Sequence, residues 1–201
     1  MAINKLTSLL VMLILALSFQ SFSKADDIRD FQIEGMSIGD SLLDYMTKNE
    51  IKSSKRNYFT DIRKYYVVGI SNNLKNYEVV DVYLKTGDNK YIIRTLGGML
   101  TLNTLDSCLA KKNSLKKEFD KVLSHLPNKD HVKEHEFDKT GTSKQYQQVY
   151  YFGDASKRDN HIRIECDNWS NKIKKEKGFN DGLNVVFMTT EILDWVYSGY
   201  K

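Results

Sequence analysis

A serine that could act as a nucleophile lies near the N-terminal end of the chain, in the tetrapeptide Gly39-Asp40-Ser41-Leu42. A serine hydroxyl attacks an ester only when a nearby base removes its proton and hydrogen-bond donors stabilise the oxyanion that forms. In the simpler structural interpretation, Asp40 caps a helix that begins at Ser41, and Gly39 makes the turn into it. The tetrapeptide is therefore either a catalytic element or a helix start.

The catalytic interpretation is supported by a resemblance to a known family. The tetrapeptide resembles the signature of the GDSL esterases and lipases, and "GFND" at 178–181 resembles the block that supplies their oxyanion donors. The resemblance implies a parallel α/β/α sandwich and a triad histidine after the second block, three residues beyond an aspartate. No histidine follows His161, and none of the four histidines has an aspartate three residues before it. We favour the helix start and keep a serine esterase using Ser41 as the alternative.

A histidine-rich segment is a second candidate site. Three of the four histidines lie in "HLPNKDHVKEHEFD" at 125–138. On a helix, His131 and His135 would share a face and could bind Zn²⁺, with His125 or a neighbouring carboxylate completing the ligand set. The segment is hydrophilic and follows the only proline, as is typical of a connector, and it lacks a second ligand pair at zinc-site spacing. We predict no cofactor and keep metal binding as a further alternative.

The two cysteines, Cys108 and Cys166, are predicted to form a disulfide. Cys108 lies in an apolar pattern of helical spacing, and Cys166 alternates with polar residues like Ile162 and Ile164, so both thiols should face the core. An even number of cysteines in an exported protein favours a crosslink over two buried thiols.

The remaining pattern predicts an α+β fold. Apolar runs and alternating residues predict strands over 65–70, 77–85 and 90–100, and further strands over 135–140, 145–153, 161–166 and 183–188. A long amphipathic helix is predicted over 105–126, and shorter helices near 40–49 and after 189. Short loops between most strands favour an antiparallel sheet, with the helices packed on one face.

The N-terminal segment 1–25 has the pattern of a signal peptide. A short apolar run follows Lys5, and Ser23 with Ala25 forms a small-residue cleavage site before Asp26. We expect residues 26–201 to form one domain, which could divide into two halves joined near 127–140. No later segment is long and apolar enough to span a membrane, so the protein should be periplasmic or secreted.

Charge and aromatic content bear on the partner. The formal net charge is +4 and falls to +2 when Lys5 and Lys24 are removed, which does not favour a nucleic-acid partner. Many tyrosines fall on predicted strands, where they could form a recognition surface for a protein, a peptide or a glycan, or ordinary cross-strand pairs.

Two further resemblances differ in extent: the first concerns most of the chain, and the second concerns about a dozen residues. "EGMSIGDSLLDY", the following hairpin, "LDSCLAKK" and "ECDNW" resemble a family of uncharacterised exported proteins from marine alphaproteobacteria, which brings no known activity. "GMSIGDSLLDYM" also resembles the helix start of small envelope-assembly proteins of the BamE type. Taken with the missing triad histidine and the signal-peptide pattern, the sequence favours a non-catalytic periplasmic binding or envelope-associated module.

Overall fold

A computed structural model describes residues 25–58, 63–136, 138–157 and 159–199. The predicted signal peptide lies outside the described residues except for Ala25, which is half-buried against the core. A single sheet dominates the fold. Its strands are β1 Lys55–Arg56, β2 Tyr65–Ile70, β3 Val79–Lys85, β4 Ile93–Thr101, β5 Asn128–Glu134, β6 Lys144–Tyr151, β7 His161–Asn168 and β8 Gly182–Met188. The helices are α1 Lys48–Ser53, α2 Leu105–Leu123, α3 Asn171–Lys177 and α4 Thr190–Tyr197, with 3-10 helices at Ile28–Asp30 and Leu42–Asp44.

The eight strands form two antiparallel meanders that meet in the middle of the sheet. The spatial order is β1-β2-β3-β4-β8-β7-β6-β5, and every neighbouring pair is antiparallel. Helix α2 connects the two meanders, and β4 pairs with β8 where they join. The predicted α+β class with an antiparallel sheet is confirmed.

One face of the sheet is apolar and carries the main core. Alternate residues of β3, β7 and β8 point to this face and are buried, among them Val82, Ile164 and Val185. The N-terminal segment covers the first meander through Leu42 and other buried residues, and α2 packs against the second.

Helix α2 is long, but its predicted amphipathic character is not confirmed. Its predicted apolar positions are mostly only half-buried, as at Leu109 and Leu115. Lys112 is buried instead, and its Nζ atom lies 3.0 Å from a carboxylate oxygen of Asp130.

The sequence predicted that the helices pack on one face of the sheet, and this prediction is wrong for the last helix. Helix α4 packs on the opposite face, where Trp195 and Ile192 form a second buried cluster with Tyr65 and Met188. These two strand residues alternate with the main core residues of β2 and β8 and therefore point away from them. The final helix has enough apolar residues to cover part of the second face on its own.

The segment that had been interpreted as a connector contains strand β5. Residues Asn128–Glu134 pair with β6 along their whole length, so the predicted strand over 135–140 begins too late in the chain. The sequence of β5 shows no alternation of apolar and polar residues. It is an edge strand with mostly exposed side chains, so neither of its faces requires apolar residues.

The two cysteines occupy the positions that the pattern indicated. Cys108 of α2 and Cys166 of β7 are buried, and their Sγ atoms are 2.02 Å apart, which is a disulfide distance. Among the helices that the structure describes, none has the length and apolar content needed to cross a bilayer.

Candidate functional site

Ser41 forms part of a structural junction between the N-terminal segment and the sheet. Its hydroxyl donates a hydrogen bond to the carbonyl oxygen of Lys90 at 2.7 Å and accepts one from the backbone N–H of Leu43 at 3.3 Å. The residue that caps the following 3-10 helix is therefore Ser41, and not Asp40 as the sequence suggested. Gly39 does make the turn, with a φ of 96°.

The two blocks that resemble the esterase signature lie far apart. Ser41 forms a β-bridge with Ile92 at the start of β4, whereas the carbonyl oxygen of Asp181 accepts a hydrogen bond from Leu102 just beyond the end of that strand. Ten residues of extended chain separate the two contacts, or about 30 Å at the usual rise per residue. The structure does not bring Ser41 and the "GFND" block into one site.

The histidines of the predicted metal site are also separated. His131 lies on β5 opposite Gln147, and the backbone of His135 pairs with Ser143 just beyond the strand. Four residues of strand span about 13 Å, whereas the metal hypothesis assumed one turn of helix. Among the residues that the structure describes, no group of three or more His, Cys, Asp or Glu side chains is placed to hold a metal ion.

A different set of polar side chains does come together, on the face of the sheet opposite the main core. We call this set the polar face. It is formed where β6, β7 and β8 run side by side, and on β7 and β8 its members alternate with buried apolar residues of the same strand. The polar face consists of Gln145, Gln147, Arg163, Glu165, Asp167 and Asn184.

The strand register places five of these side chains in two rows, and Arg163 lies in the next row, opposite Val149 and Val186. Glu165 lies opposite both Asn184 on β8 and Gln147 on β6, and the neighbouring row pairs Asp167 with Gln145. Residues opposite each other in an antiparallel pair have Cβ atoms about 5 Å apart, which suits direct hydrogen bonds between side chains.

The Glu165 carboxylate is the centre of the hydrogen-bond network. Gln147 donates to it at 2.7 Å, and Arg163 contacts both of its oxygens, at 2.8 and 3.2 Å. The Gln145 amide is shared, since its nitrogen lies 3.4 Å from Glu165 and 2.8 Å from Asp167. Asn184 donates to the second oxygen of Asp167 at 2.7 Å.

The charges of this network are not balanced. Arg163 is one cation beside two carboxylates, and Glu165 and Asp167 are exposed by only 4% and 9%. Burial and the charge of Glu165 together raise the pKa of Asp167 to about 7, although the Gln145 amide and Arg163 oppose the shift. Burial has the opposite effect on a histidine and lowers the pKa of His135 to about 4. The Nε2 atom of His135 lies 3.7 Å from a carboxylate oxygen of Asp167.

An aromatic cluster borders the polar face at the end of β7. The Trp169 ring packs at a tilt of 40° against the His135 ring with a centroid distance of 3.8 Å, and the Phe179 ring lies 4.8 Å from the Trp169 ring. The backbone N–H of Trp169 donates to Asp181, so the "GFND" block holds this cluster in place. Phe179 is 38% exposed and gives the rim an accessible aromatic surface.

Only the β7 residues of the polar face could be predicted from the sequence. The alternation of "HIRIECDNW" had already placed Arg163, Glu165 and Asp167 on the side opposite the core. The amides that bind them come from two other strands, and only the register shows that Gln147 and Asn184 face Glu165.

Compared with protein-family models, curated proteins and solved structures, the chain shows no significant match.

Proposed function

We propose that the protein is an exported, non-catalytic binding module that takes a polar, hydroxyl-rich ligand against the polar face. The observation that carries the proposal is the placement of buried amides, carboxylates and an arginine where the other face of the same strands is apolar. A buried ion pair contributes less to stability than well-packed apolar residues of similar size. Such costly arrangements with perturbed pKa values are found preferentially at functional sites.

The chemistry of the polar face suits a glycan. Side-chain amides and carboxylates both accept hydrogen bonds, and amides and guanidinium groups donate them, so together they match sugar hydroxyls, which do both. Arg163, with 21% of its side chain exposed, and the half-buried Asn184 are the accessible members. The exposed ring of Phe179 at the rim can pack on the apolar face of a sugar ring. A peptide with polar side chains is the competing ligand class.

The export part of the proposal has separate support. The cysteine pair at disulfide distance is typical of proteins that fold in an oxidising compartment. The signal-peptide pattern over 1–25 supports the same compartment from the sequence.

Tryptophan fluorescence tests the proposal directly. The chain has two tryptophans, and Trp195→Phe would leave Trp169, beside the polar face, as the only reporter. We expect oligosaccharides of glucose or N-acetylglucosamine to shift its emission in a saturable way. Phe179→Ala and Asn184→Ala should each weaken binding at least fivefold, since each removes a contact at or beside the polar face.

The matched control is Tyr45→Ala, which removes an aromatic residue of similar exposure, 43%, in the N-terminal segment. Its affinity should be unchanged. Saturable binding of extended peptides but not of sugars would replace the glycan with a peptide. Binding of either class that is insensitive to Phe179→Ala and Asn184→Ala would refute the polar face as the site.

A further inference from the structure

A concave, largely open site lies at the start of β4, in the first meander, whereas the polar face lies in the second meander on β6, β7 and β8. It is a cavity of about 400 Å³ at the turn between β3 and β4, lined by Lys85 to Asp88, Lys90, Ile92 and Arg94. We call it the hairpin cavity. Its volume is within the range of small-molecule sites, about 300 to 1,000 Å³.

The hairpin cavity carries an excess of positive charge. Three cations line it, Lys85, Lys90 and Arg94, against one carboxylate, Asp88. Lys85 and Lys90 are exposed and form no ion pair with any described residue. The oxygens of Asp88 accept hydrogen bonds from the backbone N–H groups of Lys90 and Ile92, at 2.9 and 3.2 Å. Burial raises the pKa of Asp88, but these two N–H groups outweigh it and keep the pKa below its usual value, so this carboxylate stabilises the turn in its charged form.

Arg94 has hydrogen-bonding capacity left over. Its Nη atoms lie 3.7 Å from Asp88 and 3.5 Å from Glu191, beyond the 2.7–2.9 Å typical of charge-assisted hydrogen bonds. Its Nε atom is buried and has no hydrogen-bond partner among the described residues. Glu191 shares its negative charge with Tyr65, whose hydroxyl donates to Oε1 while Oε2 lies near Arg94.

The backbone of the turn is held in a costly conformation. Tyr91, between two lining residues, has a φ of 53°, a left-handed conformation that costs an aromatic residue about 1 kcal/mol or more. Two hydrogen bonds from the N-terminal segment fix this conformation. The Ser41 hydroxyl donates to the carbonyl oxygen of Lys90, and the backbone N–H of Leu42 donates to the carbonyl oxygen of Tyr91. Gly87 leaves open space beside its own backbone. The Gly-Asp-Ser-Leu tetrapeptide thus positions the floor of the hairpin cavity.

We propose that the hairpin cavity binds the phosphate or sulfate group of an anionic ligand. A tetrahedral oxyanion can accept from the planar guanidinium of Arg94 and from two flexible ammonium groups at once. The site is separate from the polar face and does not depend on the function proposed for it.

Inorganic phosphate is the probe for this site. We expect it to shift the amide resonances of Gly87 and Asp88 in the ¹⁵N-labelled protein in a saturable way at constant ionic strength. Lys85→Ala with Lys90→Ala should weaken binding at least tenfold. Arg94→Lys should weaken it about fivefold, since lysine keeps the charge but cannot donate in a fork.

The matched control is Lys111→Ala with Lys117→Ala, which removes the same charge from exposed positions of α2. Its affinity should change less than twofold. Equal weakening in the two double variants, or no saturable shift at Gly87, would overturn the proposal, because binding would then reflect overall charge alone.

A second probe identifies the source of the anion. Vesicles of phosphatidylcholine with phosphatidylglycerol offer the same phosphate chemistry in a lipid headgroup. Co-sedimentation that Lys85→Ala with Lys90→Ala abolishes and the α2 control does not would assign the site to a membrane surface. Binding of free phosphate without co-sedimentation would assign it to a soluble phosphate or sulfate ester.

Discussion

Replacing Asp167 by asparagine should change how the stability of the protein depends on pH. The pKa of Asp167 is raised to about 7 by burial and by Glu165, whereas in the unfolded chain it is near 3.8. Between these values the folded state holds a proton that the unfolded state has lost, so stability is highest at low pH and falls as pH rises. Each pH unit in that window removes about 1.4 kcal/mol of unfolding free energy.

Other titratable groups on the same side of the sheet also contribute to the pH dependence of the unfolding free energy, some with the same sign as Asp167 and some with the opposite sign. Burial raises the pKa of Asp81 to about 6, which adds a loss of the same sign. Burial lowers the pKa values of His135 and His161 to about 4, so the unfolded state binds their protons first and stability rises with pH between about 4 and 6.5. Burial and neighbouring lysines also lower the pKa of His131 on the same face, so three gains in stability oppose two losses, and the wild-type unfolding free energy should not fall between pH 4.5 and 6.

Asp167→Asn removes one of the losses of unfolding free energy with rising pH and leaves the gains that come from the histidines. The difference in unfolding free energy between the variant and the wild type should therefore increase in favour of the variant by about 1.4 kcal/mol per pH unit up to about pH 7. The slope is diagnostic, whatever constant offset the new amide introduces beside Gln145 and Asn184. The groups that face Asp167 are Glu165, Arg163 and His135, and all three are retained.

The assay is urea denaturation followed by tryptophan fluorescence between pH 4.5 and 7.5 at constant ionic strength, with the disulfide intact. Asp120→Asn is the control. Burial raises the pKa of Asp120, but hydrogen bonds from Lys116 and Tyr150 outweigh it and hold the pKa below its usual value, so this variant should lose a constant amount of stability across the range. If the Asp167→Asn difference is equally flat, Asp167 is ionised throughout and our account of the polar face is wrong.

Three further predictions concern the structural contacts. Ser41→Ala removes the bond to Lys90 and a helix cap, and should lower the unfolding free energy by about 1 kcal/mol in urea denaturation; unchanged stability would contradict the structural role of this serine. Replacing Cys108 and Cys166 by serine opens a crosslink of sequence separation 58 and should cost about 4 kcal/mol by the same measurement, and a loss under 1 kcal/mol would argue against the crosslink. Glu34→Gln replaces a carboxylate that accepts three backbone N–H groups of the 75–77 loop by a neutral amide. It should lower the melting temperature by about 2 °C in a circular-dichroism melt. No change would show that water replaces these hydrogen bonds.

The elements with a buried apolar face could be predicted from the sequence. The strand at 65–70 follows from a short apolar run that is buried on both faces, and the inward-facing Cys166 follows from apolar residues that alternate with polar ones, since burial selects for both patterns. β5 could not be predicted in this way, because an edge strand with mostly exposed side chains has no such selection. Its charged residues are the usual protection of an edge against further pairing.

The candidate sites needed information that no local pattern contains. The spacing of His131 and His135 would bring two ligands together on a helix, and on a strand it moves them apart. Ser41 has the residue types of a nucleophile motif, but the contact that defines its role is with Lys90, far along the chain. The polar face depends on register between strands, which sequence alternation alone does not determine.

Strand β7 combines the most stabilising and the most costly features of the fold. Cys166 points into the core and is bonded to α2, while its two neighbours, Glu165 and Asp167, point to the polar face with little access to water. Desolvation of these carboxylates weakens the folded state. The disulfide destabilises the unfolded chain and acts on the residue between them. The crosslink therefore offsets part of the desolvation cost of the two buried carboxylates in the unfolding free energy of the protein.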